Sequence, residues 1–206
     1  LFVDGRYTLQ ANNQCGKFFK IFTIPNKMPS DVLKNKKLSI GYDPKLFTRK
    51  MLNVFFKKKK CKFIPLKNNL IDKIWKRKFN TNINKFYTLP KGSTGENYKS
   101  KENKISSYLK KIKADFQFIS SSENTAWLLN IRGKDSLYTP IPNSHLLINK
   151  DKEIKFFCNL NKISSSFKKK FYKIKFIDIK KTGECLSKIQ NKKFLIDKNS
   201  CSIYFE

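Results

Sequence analysis

Carboxylates, arginine, glycine and histidine are all scarce in this chain. Its 206 residues hold 15 Asp and Glu against 45 Lys and Arg, a formal net charge of +30. Fifteen acids scattered among 45 cations offer no obvious acidic cluster, so the chain carries no visible two-metal hydrolytic set. Only four of the cations are arginine (Arg6, Arg49, Arg77 and Arg132). Arginine is the side chain that reads phosphate and guanine through two parallel hydrogen bonds. Its rarity, with lysines spread along the chain, argues against a nucleic-acid partner. The densest run, Lys57-Lys58-Lys59-Lys60, reads as a solvated helix end. A single histidine, His145, cannot supply half of a His/Cys metal site. The five cysteines (Cys15, Cys61, Cys158, Cys185, Cys201) lie 46, 97, 27 and 16 residues apart, with no C-x-x-C pair. That spacing excludes a zinc ribbon and a disulfide framework and reads as reduced thiols packed as small hydrophobes. No G-x-S-x-G, P-loop or G-x-G-x-x-G is present. No apolar run approaches the ~18 residues of a membrane span. The opening Leu1-Phe2-Val3-Asp4-Gly5-Arg6 is no signal peptide and reads as a sequence entered midway, so a fragment is expected.

What is present points to a packed protein. The chain is 39% hydrophobic and holds nineteen Phe, too apolar for a disordered polycation. Lys, Asn, Ile and Phe share A/T-rich codons, so a base bias accounts for the composition without selection for phosphate binding.

Patterning predicts alternating strands and helices. Residues 1–3 end a strand, Asp4-Gly5-Arg6 turn the chain as a structural corner, and Tyr7 to Asn13 form a short helix. Strands are expected over Lys17 to Ile24, Lys37 to Tyr42 and Cys61 to Leu66. Helices are expected over Leu46 to Lys59 and Leu70 to Trp75. From Lys76 to Gly95 the composition is that of a linker, and a domain boundary is placed near Thr94. Beyond it, a helix spans Tyr98 to Lys113, with Ile105, Tyr108, Leu109 and Ile112 on one face. Phe116 to Ser120 is a strand, and a helix from Glu123 to Asn130 is capped by Ser120, Ser121 or Ser122. Ser144 to Asn149 and Glu153 to Leu160 make a hairpin. A polar helix, a strand (Tyr172 to Ile179), a helix (Thr182 to Asn191) and a last strand (Lys193 to Asp197) follow. The fold class is α/β, as two layered units in series. Trp75 and Trp127 read as core anchors.

Five segments, in order, resemble one family. Phe2-Val3-Asp4-Gly5-Arg6-Tyr7-Thr8-Leu9-Gln10-Ala11 is similar to the (T/V)DGRYFLQA signature of three-domain Xaa-Pro aminopeptidases. Ile40-Gly41-Tyr42-Asp43-Pro44 resembles the family's (V/I)G(V/Y)DP, and Asn69 to Trp75 its NLVDxIW. Ala126 to Asp135 (AWLLNIRGKD) resembles AWLLNLRGxD. Tyr138-Thr139-Pro140, then Ser144-His145-Leu146-Leu147-Ile148, resembles YNPxxxSYLLI.

The resemblance implies two creatinase N-terminal-like domains in series, each a mixed sheet flanked by helices. Residues 1–93 would be a truncated first domain with its linker, and 94–206 the second. The family's pita-bread catalytic domain would be absent, and with it two manganese ions and every metal and catalytic ligand. The resemblance implies the non-catalytic N-terminal part of a cytoplasmic, dimeric, manganese-dependent hydrolase. Such enzymes remove the residue preceding a proline at the second position of a peptide. Its substrate-cleft candidates are Arg132, Asp135, Tyr138 and His145. Arg132 is also readable as pairing with Asp135 to brace a turn, and His145 stands where relatives usually have Tyr. The alternative is a free-standing α/β module that binds peptides or another protein, having lost the catalytic domain.

Overall fold

The computed structural model describes residues 1–33, 37–56, 61–75, 84–90 and 92–206. The Lys57–Lys60 run and residues 76–83 of the expected linker lie outside them. The chain divides into two compact units: Leu1–Lys76 with Ser202–Tyr204, and Arg77–Cys201 with Phe205–Glu206.

The first unit is built from two strand–helix–strand pieces. β1 (Phe2–Asp4) and β2 (Phe22–Ile24) pair in parallel with Val3 opposite Thr23, joined across α1 (Thr8–Cys15). After α2 (Pro29–Val32), β3 (Ser39–Tyr42) and β4 (Lys62–Pro65) repeat the arrangement across α3 (Arg49–Phe56), and α4 (Leu70–Ile74) follows. Parallel neighbours need such a crossover, because a tight turn can only reverse the chain. The Asp4 corner forms as expected: its carboxylate accepts from the Arg6 backbone N–H at 3.0 Å and from Nε at 2.9 Å. Two expectations shift. The strand expected over Lys17 to Ile24 is confined to Phe22–Ile24. The backbone N–H groups of Phe18 and Phe19 both donate to the Cys15 carbonyl at 2.9 Å, prolonging the turn that ends α1, and Phe18 is 82% exposed. The helix expected from Leu46 starts at Arg49, because Thr48 Oγ1 accepts from the Met51 N–H and sets the first turn. Among the described residues of this unit only Ala11, Thr48 and Leu52 are buried. Aromatic edges supply the rest of its packing, with Phe47 6.1 Å from Tyr42 and 6.3 Å from Phe55.

The second unit holds a five-stranded mixed sheet. Its elements are β5 (Tyr87–Thr88), α5 (Tyr98–Lys111), β6 (Phe116–Ile119), α6 (Ser122–Leu129), β7 (Ile131–Arg132), β8 (Ser144–Asn149), β9 (Ile154–Cys158), α7 (Ser165–Lys170), β10 (Ile174–Asp178), α8 (Thr182–Ser187) and β11 (Phe194–Ile196). The strand order is β10-β9-β8-β6-β11, and β8 runs antiparallel to both of its neighbours. The expected hairpin is β8–β9. Its turn is held by Asn149, whose Oδ1 accepts from the Asp151 and Glu153 N–H groups. Alternation sends Leu146, Ile148, Ile154, Phe156 and Ile174 to one face, where Phe86, Leu128, Leu129 and Phe167 cover them. Phe118, Leu147 and Phe157 occupy the other face, against Cys185 and Leu186 of α8, Cys201 and Phe205.

Residues 84–90 do not behave as a linker. Phe86 is 3% exposed, and β5 pairs antiparallel with β7, Tyr87 opposite Arg132. This segment therefore belongs to the second unit, upstream of the boundary expected near Thr94. Composition alone hid it, because one buried Phe between Lys85 and Tyr87 anchors a segment otherwise made of linker residues. The tryptophans also depart from expectation, being 57% (Trp75) and 58% (Trp127) exposed. Trp127 lies on the outer side of α6, with the Lys101 ammonium 4.2 Å from its ring centroid.

Candidate functional site

The four predicted cleft residues sit along one segment, 132–145, whose conformation starts at the end of α6. Asn130 takes a left-handed backbone (φ 53°) and ends the helix. Lys101, 4% exposed, reaches it from α5, donating to the Trp127 carbonyl and to Asn130 Oδ1 at 2.6 Å each. Asn130 Nδ2 in turn donates to the Glu96 carbonyl at 2.8 Å. A buried ammonium so placed satisfies the carbonyls left open at a helix C-terminus and meets the negative end of its dipole. Burial pushes the Lys101 pKa down, and Glu96 opposes that shift.

From this anchor the segment leaves as β7 and closes on itself. The Gly133 N–H donates to the Pro140 carbonyl at 3.3 Å. A Cβ at residue 133 would lie 2.8 Å from the Pro142 Cα, so only glycine permits this approach. Asp135 turns inward: Oδ2 accepts from the Asn143 N–H at 2.6 Å, and Oδ1 pairs with Lys162. Both side chains of that ion pair are only 10% exposed. At the tip, Ser136 and Thr139 bridge, leaving Leu137 80% and Tyr138 96% exposed. Tyr138 holds φ at +62°, which bulky residues seldom adopt.

The structure separates these residues by role. Arg132 does not pair with Asp135; its guanidinium donates to the Ile131 carbonyl at 2.9 Å, so the turn-bracing alternative is corrected to an Asp135–Lys162 brace. Tyr138 stands free of both at the tip. His145, on β8, directs Nδ1 to the Ser120 carbonyl at 2.9 Å, and its ring meets Phe118 (5.8 Å) and Phe205 (5.2 Å). No hydrogen bond or ring contact joins any two of the four. Lys162 and Lys101 were missed by sequence reasoning. Lys101 had a signal, since it heads the apolar stripe of α5, four residues before Ile105; Lys162 had none.

Burial holds the His145 pKa below its ordinary value, with the Ser120 carbonyl opposing. The unfolded chain therefore takes up a proton first. Stability is full above pH ~6.5, the unfolded-state value, and falls as pH drops from there towards the lowered folded-state value. His145→Tyr should remove that part of the slope. Comparing urea midpoints of the two proteins between about pH 7.5 and 5 checks it; superimposable pH profiles would exclude His145 as the source.

A metal does not fit this segment. Asp135 is committed to Lys162 and Asn143, and His145 to Ser120 between two rings. Among the described residues no three His, Cys, Asp or Glu side chains come together as a ligand set. Hydrolytic chemistry of a metal-bound water has no foothold here. The segment is instead a braced protrusion with an apolar, aromatic tip.

The family model of the creatinase/prolidase N-terminal domain matches residues 78–206. The chain belongs to that family. Its relatives are peptidases. The Xaa-Pro aminopeptidase of Drosophila melanogaster is 27% identical over 177 residues, covering 81% of this chain and 29% of that protein. That of Caenorhabditis elegans is 28% identical over 203 residues, covering 93% and 32%. The crystal structure of an X-prolyl aminopeptidase from Caenorhabditis elegans, described as a cytosolic enzyme with a di-nuclear active site, superposes with a TM-score of 0.77 at 26% identity. It covers 90% of this chain and 32% of that one. The chain thus spans about a third of the length of these relatives.

Proposed function

We propose that this chain is the non-catalytic N-terminal part of a metal-dependent Xaa-Pro aminopeptidase, made of two creatinase-like domains in series, expected as 1–93 and 94–206 but with segment 84–90 packed on the second. The observation that carries the reading is the shared fold over 90% of the chain with an X-prolyl aminopeptidase three times its length. In this reading the metal site, taken as two manganese ions, and the hydrolytic step belong to sequence outside these residues. The assembled enzyme is a cytoplasmic homodimer acting on peptides with proline second. Segment 132–145 forms a wall of the substrate cleft. Tyr138 is the residue placed to touch a peptide, while Arg132, Asp135 and His145 position the loop that carries it.

The test begins with the native polypeptide, recovered from cells with an antibody to 94–206. A mass well above 24.3 kDa, with Mn²⁺-dependent cleavage of Xaa-Pro peptides, is the expected result. In that protein Tyr138→Ala should raise KM about tenfold and leave kcat within about twofold, as expected for loss of a contact made equally to substrate and transition state. A native mass of 24.3 kDa without activity would leave the binding module as the correct reading.

A further inference from the structure

We propose that the open edge of β10 accepts an added strand from an acidic, extended polypeptide segment. Among the described residues β10 is the outer strand of the five-stranded sheet, paired with β9 on one side only. Half of its backbone N–H and C=O groups therefore face away from any strand, a ready template for strand addition.

The charge around this edge is predominantly positive, although Glu102, Asp151 and Glu153 gather beside Lys173 at the start of β10. Residues 168–181 hold seven lysines (Lys168, Lys169, Lys170, Lys173, Lys175, Lys180 and Lys181) and one acid, Asp178. That density is half of the positions, against 45 cations in 206 residues for the whole chain. Asp178 is committed as a cap, accepting from the Lys180 N–H at 2.8 Å. Folding adds Lys155, which stands directly beside Lys175 in the parallel register of β9 and β10. Like charges side by side on neighbouring strands oppose each other, and an acidic strand laid along the edge would relieve that opposition. Seven of the eight lysines lie within residues 168–181, and the strand pairing adds the eighth, Lys155; of the seven, Lys170 donates to Thr88 Oγ1 at 2.7 Å.

The opposite edge differs. At β11 the Asp115 carboxylate pairs with Lys150 at 3.0 Å and accepts from the Lys193 N–H at 3.1 Å, so charge there is mixed. A second copy of this chain is a poor occupant for β10, since it would bring one lysine collar against another. The collar that discourages self-pairing is what selects for carboxylates.

The experiment titrates the full 206-residue chain into a fluorescent ten-residue peptide of alternating Glu and Val. A control peptide of alternating Glu and Pro has equal charge but loses half of its backbone donors. The Glu/Val peptide is expected to bind at least about tenfold tighter than the control at ~50 mM salt. It should also slow amide exchange in Lys175–Asp178. Lys155→Gln with Lys175→Gln should weaken it about tenfold; should that pair of changes unfold the chain, Lys168→Gln with Lys169→Gln on the exposed side of α7 replaces it. Equal binding of both peptides, tighter binding of a single-stranded oligonucleotide of equal charge, or unchanged exchange at β10 would overturn the proposal. So would absence of binding, which would leave the lysines as guards of an unused edge.

Discussion

Asp135→Ala should lower the stability of the second unit by about 3–5 kcal/mol, the cost of stranding one member of a buried ion pair. The partner left behind is Lys162, whose side chain is only 10% exposed and so is poorly placed to recover its hydration from bulk water. The same change removes the acceptor for the Asn143 N–H, 2.6 Å away, in the turn that leads into β8. Lys162→Met alone should cost a comparable amount. The double variant should recover most of the loss, because a neutral, well-packed pair avoids desolvating two charges. Urea unfolding followed by circular dichroism measures all three. A single-variant loss under about 1 kcal/mol would show that the pair is solvated like a surface bridge. Since Asp135 fixes the loop bearing Tyr138, the single variants should also loosen that tip, read as faster amide exchange at Ser136–Thr139.

Phe156→Ala should cost about 3–5 kcal/mol, as large-to-small changes at closed sites do. Its ring is fully buried, 6.1 Å from Phe86 and 5.9 Å from Phe176. Strands lie on both sides and helices above, so little can collapse into the space. Phe18→Ala supplies the contrast, since that ring is 82% exposed and its loss should change the urea midpoint little. Equal effects at the two positions would contradict the burial that separates them.

Much of the second unit was legible because its signals are local. Ile105, Leu109 and Ile112 mark α5 by spacing, Ser121 caps α6 where a run of three serines offered a choice, and Asn149 to Lys152 marks the hairpin. The first unit was harder to read. Phe18 and Phe19 look like strand residues by type, yet the Cys15 carbonyl takes both of their N–H groups. The site divides in the same way. The motif placed Arg132, Asp135, Tyr138 and His145 on one segment, because chain order and family spacing are written in the sequence. What each touches was not: Lys162 arrives from 27 residues away, and no local pattern announces it. The lysine collar differs, since seven of its eight members lie within residues 168–181 and only Lys155 is added by strand pairing.

The strand order carries a consequence for how the second unit is made. β11 pairs with β6 at Phe194 opposite Phe116, closing a loop of 78 residues, whereas β8 meets β9 across a short turn. Local pairings form first, because long loops must pay their closure entropy before contacts repay it. During synthesis the hairpin and β10 can therefore assemble while β6 still has a bare flank. The sheet gains its fifth strand only after Phe194–Ile196 has left the ribosome, so an arrested nascent chain ending before Phe194 should expose β6 as a sticky edge and need a chaperone that a longer one does not.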